Sequence, residues 1–364
     1  MKFLNALLAF ALTAPIATTF GQTNTLQRVQ NYGYNPANVD MYYYIPECIQ
    51  GATQGRPLMV ALHYCHATAF ELYAGAHDGP SFKQLADKYG FVVVYPSVNN
   101  DPDGCWDVHS TQSLTRLGGG ESHSIISQVE YAHSTWGTAY NKVFTAGISG
   151  GAMMANVLAA VYPDRFAGAA VYGGVAHGCF AGEPYWNDDC AKGRVVKTAQ
   201  QWGDLVRNAY GGYNGARPKV QVWHNTPDDV LDYVNMEEQV KQWTNVFGYP
   251  ITPASTSYGS PTSAWTRRTY GPNFQALTST IYSHVFPIMT QDTMEYFGLT
   301  RNVPTACQNQ PTPTNEPAPT STETGIVEEW KQCGGNDYEG PTRCVEGTTC
   351  QKVDDFYWQC KKPF

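Results

Sequence analysis

Charge is scarce in this chain: Asp, Glu, Lys and Arg together make up 15% of its 364 residues, and 31 acidic residues face 23 basic ones. No lysine-arginine cluster occurs, which speaks against nucleic acid or an anionic membrane surface as partner. Long apolar runs are missing too, apart from Phe3 to Leu12, and that run is shorter than the ~20 residues a bilayer-spanning helix needs. There is no His-Glu-x-x-His helix, no paired Cys-x-x-Cys set, no Gly-x-x-x-x-Gly-Lys loop and no Gly-x-Gly-x-x-Gly fingerprint, so neither a metal nor a cofactor is implied. No Asn-x-Ser/Thr sequon is present either.

What is present divides the chain into four parts. Lys2, the apolar run behind it and the small residues Ala14, Ala17 and Gly21 read as a cleaved signal peptide over residues 1–21, which predicts a secreted mature protein. Outside the cell the 10 cysteines, an even number, can pair. Residues 22–303 are long enough for one α/β domain with a substantial core. Over residues 304–327 the composition turns to proline, threonine, asparagine and glutamine, the mark of an extended linker whose Thr and Ser beside Pro suit O-glycosylation. Residues 328–364 hold Cys333, Cys344, Cys350 and Cys360 with several aromatics. Below about 40 residues a fold usually needs such disulfides, and four cysteines allow three pairings.

In the long middle part, strand-like apolar runs fall at Met41 to Ile45, Leu58 to Leu62, Phe91 to Tyr95, Lys142 to Ala146, Ala167 to Tyr172, Val220 to Trp223 and Leu277 to Tyr282. Helical spacing alternates with them at Ser81 to Tyr89, Ser124 to Trp136, Ala152 to Tyr162, Ala199 to Tyr210 and Met236 to Phe247. That alternation predicts an α/β fold with a mostly parallel sheet and functional residues at the carboxyl ends of the strands.

One strand-to-helix junction reads Gly147-Ile148-Ser149-Gly150-Gly151, a nucleophile elbow, in which glycines let strand and helix approach while Ser149 projects its hydroxyl. A serine hydroxyl is a poor nucleophile at neutral pH; it needs an imidazole to take its proton and a carboxylate to orient the imidazole. In this fold the order along the chain is Ser, Asp or Glu, then His. His224, Asp228 and Asp229 follow one strand, and His284 follows the last. Asp228 and Asp229 are adjacent and so cannot flank a glycosidic bond from both sides, which excludes a glycosidase built on them.

Together with His63-Tyr64-Cys65, Cys105-Trp106-Asp107, Gly118-Gly119-Gly120, Gly178-Cys179-Phe180, Lys241-Gln242-Trp243 and Met294-Glu295-Tyr296-Phe297-Gly298, these residues resemble the fungal acetylxylan esterases of carbohydrate esterase family 1, relatives of feruloyl esterases and polyhydroxybutyrate depolymerases. The resemblance implies an α/β-hydrolase fold with Ser149 as nucleophile, His284 as base and Asp228 as its orienting carboxylate, with Asp229 as fallback. His224 and His63 take structural roles. The oxyanion donors become the N–H groups of Gly150 and Cys65, the Cys65 side chain being expected in a disulfide, with Cys105 as candidate partner. Trp186 matches a tryptophan beside the site, where it either stacks on sugar or packs. Two positions depart from the family pattern, Asn225 and Ser283, where glycines are usual.

The C-terminal segment, with Gln332-Cys333-Gly334-Gly335, Tyr338 and Gly340-Pro341, resembles the fungal cellulose-binding module of family 1. That likeness implies the pairs Cys333 with Cys350 and Cys344 with Cys360, and a cellulose-binding face made of Trp330, Phe356, Tyr357 and Gln359. The combined expectation is a secreted, monomeric serine esterase that deacetylates xylan while bound to cellulose. The alternatives are a feruloyl esterase on the same fold and a cellulose-binding protein whose hydrolase domain is idle.

Overall fold

In the computed structural model of the protein, the residues described are 25–75, 79–98, 103–182, 184–308, 325–327, 332–335, 338, 340–352 and 358–361. The expected signal peptide and all but residues 304–308 and 325–327 of the expected linker lie outside them, as do Trp330, Phe356 and Tyr357.

Ten strands form one sheet: β1 Gln27–Val29, β2 Asp40–Tyr44, β3 Leu58–Leu62, β4 Val92–Ser97, β5 Val143–Ile148, β6 Gly168–Tyr172, β7 Lys219–Asn225, β8 Ser255–Tyr258, β9 Trp265–Gly271 and β10 Phe274–Ser279. Their order is β1-β2-β4-β3-β5-β6-β7-β10-β9-β8. From β4 to β10 neighbours run parallel, and antiparallel strands flank them at both edges.

Strands β3 to β6 are buried along their whole length. Strands covered on both faces have no need to alternate polar and apolar residues, which is why they read as continuous apolar runs. Alternate side chains still serve opposite faces. Leu58, Val60 and Leu62 meet Ile125, Val129, Val157, Leu158, Trp202 and Trp243 from the helices Glu121–Trp136, Gly150–Val161, Ala199–Ala209 and Val234–Phe247. Met59 and Ala61 face the other way, toward Phe82, Leu85, Met294 and Phe297 from the helices Phe82–Tyr89 and Thr290–Phe297. The result is a sheet between two helical layers. Ser81 begins its helix as a cap, accepting from Gln84 N while the Gln84 side chain accepts from the Ser81 N–H.

The expected strand Leu277 to Tyr282 is displaced: β10 runs Phe274–Ser279, and the chain turns out of the ladder where the Ser279 hydroxyl accepts from Ile281 N. Three disulfides join Cys48 to Cys307, Cys65 to Cys105 and Cys179 to Cys190. In the C-terminal segment Gln332–Gly334, Trp358–Lys361 and Thr349–Lys352 form a small antiparallel sheet, and Cys333–Cys350 and Cys344–Cys360 are bonded in the pairs the likeness implied.

Candidate active site

The elbow begins where β5 ends. Ser149 takes φ 51 and ψ −117, a conformation that costs a side-chain-bearing residue roughly 1–3 kcal/mol and persists only where its surroundings fix it. Here the Ser149 N–H donates to Tyr172 O at 2.9 Å, and Ser149 O accepts from Met153 N at 3.0 Å. The flanking glycines are required by contact: a Cβ on Gly147 would lie 2.1 Å from Gly151 O, and one on Gly151 would lie 2.3 Å from Leu62 O.

Loops beyond two other strands reach the same point. After β10, His284 places Nε2 2.9 Å from Ser149 Oγ. After β7, Asp228 places its carboxylate oxygens 2.9 and 3.0 Å from His284 Nδ1. A carboxylate only accepts, so Nδ1 carries the hydrogen and the free lone pair of Nε2 receives the Ser149 hydroxyl. Asp228 Oδ1 also accepts from the N–H groups of Val230 and Leu231, at 3.0 and 2.8 Å. Burial alone would push the Asp228 carboxyl up, but His284, then His224 and the Leu231 N–H, together hold it below the usual carboxylate range.

Asp229, the fallback, is exposed, and its backbone oxygen receives Lys192 Nζ at 2.8 Å. His224 is fully buried behind Asp228, donates from Nε2 to Leu231 O at 2.8 Å, and has its pKa lowered, chiefly by burial. His63 is likewise buried, its Nδ1 donating to Tyr64 O and its Nε2 accepting from Val98 N, with its pKa lowered by burial to about 4. Neither Asn225 nor Ser283 has a positive φ, so neither position requires the glycine usual in the family. Ser283 is exposed; Asn225 is buried at the end of β7, and its side-chain amide has no hydrogen-bond partner among the described residues.

Gly150 is the first residue of the elbow helix, where N–H groups point outward unbonded and favour negative charge. A Cβ on Gly150 would stand 2.8 Å from Cys65 Sγ and 3.7 Å from Cys65 N, so the two backbones converge beside Ser149. The Cys65 loop is held by the bond to Cys105, by Trp106 Nε1–H donating to His63 O at 2.8 Å, and by His66 N donating to Asp103 O at 2.6 Å.

Above Ser149 and His284 opens a cavity of about 590 Å³, walled by Tyr64, Cys65, His66, Asp103, Cys105, Ile148, Tyr185, Trp186, Val230, Val285 and Phe286. Trp186 is 40% exposed on its rim, bonded through Nε1–H to Asp188 Oδ1 at 2.9 Å and edge-on to Phe180. Sequence reasoning had not singled out His66, Tyr185, Val285 or Phe286. Each is adjacent or nearly adjacent to a residue that was, and that adjacency is the signal that would have found them. Such an assembly of hydroxyl, imidazole, buried carboxylate and convergent N–H groups suits acyl transfer through a covalent serine ester.

Among the described residues, the one cluster with metal-ligand spacing is Cys333, Cys344 and Cys360, whose sulfurs are committed to disulfides and offer no thiolate. Gln359 lies on the strand Trp358–Lys361, opposite Gln332 and Gln351.

Residues 40–188 match the family model described as Esterase PHB depolymerase, and residues 329–357 match the Fungal cellulose binding domain. A probable acetylxylan esterase A from Aspergillus fumigatus is 40% identical over 93% of this chain and 92% of its own length. A feruloyl esterase B from Talaromyces funiculosus is 36% identical over 92% of this chain and 94% of its own. Among solved structures, the acetyl xylan esterase from Aspergillus awamori superposes with a TM-score of 0.71 at 39% identity, covering 76% of this chain and 99% of that one.

Proposed function

The chain belongs to the family of fungal acetylxylan esterases, and from that premise we propose that it is a secreted enzyme that removes acetyl groups from xylan while its C-terminal module holds it on cellulose. Ser149 Oγ attacks the acetyl carbonyl carbon as its proton passes to His284 Nε2. Asp228 fixes the imidazole tautomer and stabilises the imidazolium that forms. The N–H groups of Gly150 and Cys65 receive the negative oxygen of the tetrahedral intermediate. His284 then returns the proton to the departing sugar oxygen. In the second half a water molecule, deprotonated by His284, releases acetate and restores Ser149. Residues 22–303 would carry this chemistry, residues 304–327 would act as tether, and residues 328–364 as anchor. The bonding of all ten cysteines in five disulfides supports passage through an oxidising compartment.

The observation that carries the catalytic assignment is the hydrogen-bonded series from Ser149 through His284 to Asp228, each contact at 2.9 Å. One feature favours a second substrate: the cavity has aromatic walls in Tyr64, Tyr185, Trp186 and Phe286, which suit a ferulate ring. The deciding measurement is acetate release from acetylated xylan against ferulate release from methyl ferulate, with the Ser149→Ala variant alongside. Acetate release lost in the variant, with cellulose adsorption retained, is expected. Ferulate release at the higher rate would transfer the assignment to a feruloyl esterase. Failure to release either product would leave a cellulose-binding protein with an idle hydrolase domain.

A further inference from the structure

A second concavity, of about 320 Å³, opens at the opposite end of the sheet. Pro57, Lys142 and Ala167 in its wall immediately precede β3, β5 and β6, and Lys219 opens β7. Ser149, Asp228 and His284 lie past the other ends of the strands, so one strand length, about 17–20 Å, separates the two openings.

Among the described residues, four cations, Arg56, Lys142, Lys219 and Arg301, line this concavity and no Asp or Glu does, in a chain whose net charge is −8. Arg56 Nε donates to Ala52 O at 3.1 Å, and Lys219 Nζ lies 5.3 Å from the Tyr296 ring. None of the four is in an ion pair among the described residues, in contrast to Arg116, Arg267 and Arg268, each held by a carboxylate. Like charges gathered round one hollow repel, and such a local breach of the rules for stability marks a site where something of opposite sign is expected. The rest of the wall is partly aromatic: Tyr89, Phe144 and Phe297 line it, each no more than 9% exposed, with the Phe144 and Phe297 rings stacked on one another, 4.8 Å apart.

We propose that this concavity binds a uronic acid unit of a polysaccharide, the carboxylate meeting the cations and the apolar face of the sugar ring meeting the aromatic wall. Guanidinium groups match a carboxylate with two parallel hydrogen bonds, and an aromatic wall offers nothing to a bare inorganic anion. The volume lies at the small end of the ~300–1,000 Å³ typical of ligand sites, which suits a single sugar branch.

The test uses the intact chain and two xylo-oligosaccharides of equal length, one neutral and one carrying a single glucuronic acid branch, with binding followed by calorimetry. The acidic oligosaccharide is expected to bind about tenfold more tightly, the effect of one charge-assisted hydrogen bond, and to lose that advantage as salt is raised. Lys142 and Arg301 are exposed, so the double variant Lys142→Gln/Arg301→Gln should fold. It should lose the preference while hydrolysing 4-nitrophenyl acetate at the normal rate. Equal binding of the two oligosaccharides, a preference that survives in the double variant, or displacement by inorganic phosphate at the same concentration as the acidic oligosaccharide would each overturn the proposal.

Discussion

Asp228 is buried and yet charged, and its partners settle that conflict. With its carboxyl held below the usual range by His284, His224 and backbone N–H groups, it stays ionised where an ordinary carboxyl begins to protonate. Asp228→Asn should leave the fold standing but misdirect the imidazole, lowering kcat by about 10⁴ as measured with a soluble acetate ester. The sign of the stability effect follows from the depressed value. The contribution is present above the unfolded carboxyl pKa, about 3.9, and is lost as pH falls through the lower folded one. The gap in Tm between the native protein and Asp228→Asn should therefore close below about pH 4; a gap that widens in acid would contradict this account. The residues alone left Asp228 and Asp229 open. Burial and two backbone donors distinguish them, and both arise from how the loop after β7 closes.

The strand-turn-helix around Ser149 was legible because its glycines answer to backbone contacts within a few residues. Gly147→Ala drives a Cβ to 2.1 Å from Gly151 O, where nothing can yield without moving the elbow. It should cost about 1–3 kcal/mol or more in urea unfolding and abolish labelling of Ser149 by a fluorophosphonate. Gly211→Ala, with open space around the new Cβ and no positive φ, should be neutral in both assays. Central strands were legible for the opposite reason, as apolar runs covered on both faces. The sheet's edges were not. Ser255–Tyr258 is exposed throughout, and Trp265–Gly271 carries two arginines, so neither shows the apolar pattern of a strand; β9 forms by pairing with β10, and β8 by pairing with β9.

Across the whole molecule, the cavity over Ser149 draws its walls from segments as far apart in sequence as Tyr64, Tyr185 and Phe286, which explains why its size and lining escaped a linear reading. The cysteine framework of the C-terminal segment was readable because spacing within a short segment is itself the signal. A chain ending after Gln308 should match the full chain on a soluble aryl acetate and fail to sediment with crystalline cellulose; sedimentation by the shortened chain would place cellulose binding elsewhere. Such a cut spares Cys307, and that residue has a further role. When a protein is fastened to a solid through its tail and pulled by flow, tension enters along the chain from that tail. The bond from Cys307 to Cys48, spanning a sequence separation of 259, passes the load across to the short helix Glu47–Ile49 near the start of the chain. The residues between them, with strands β3 to β10 and the serine that β5 presents, hang on a closed covalent ring and cannot be peeled away strand by strand from that end.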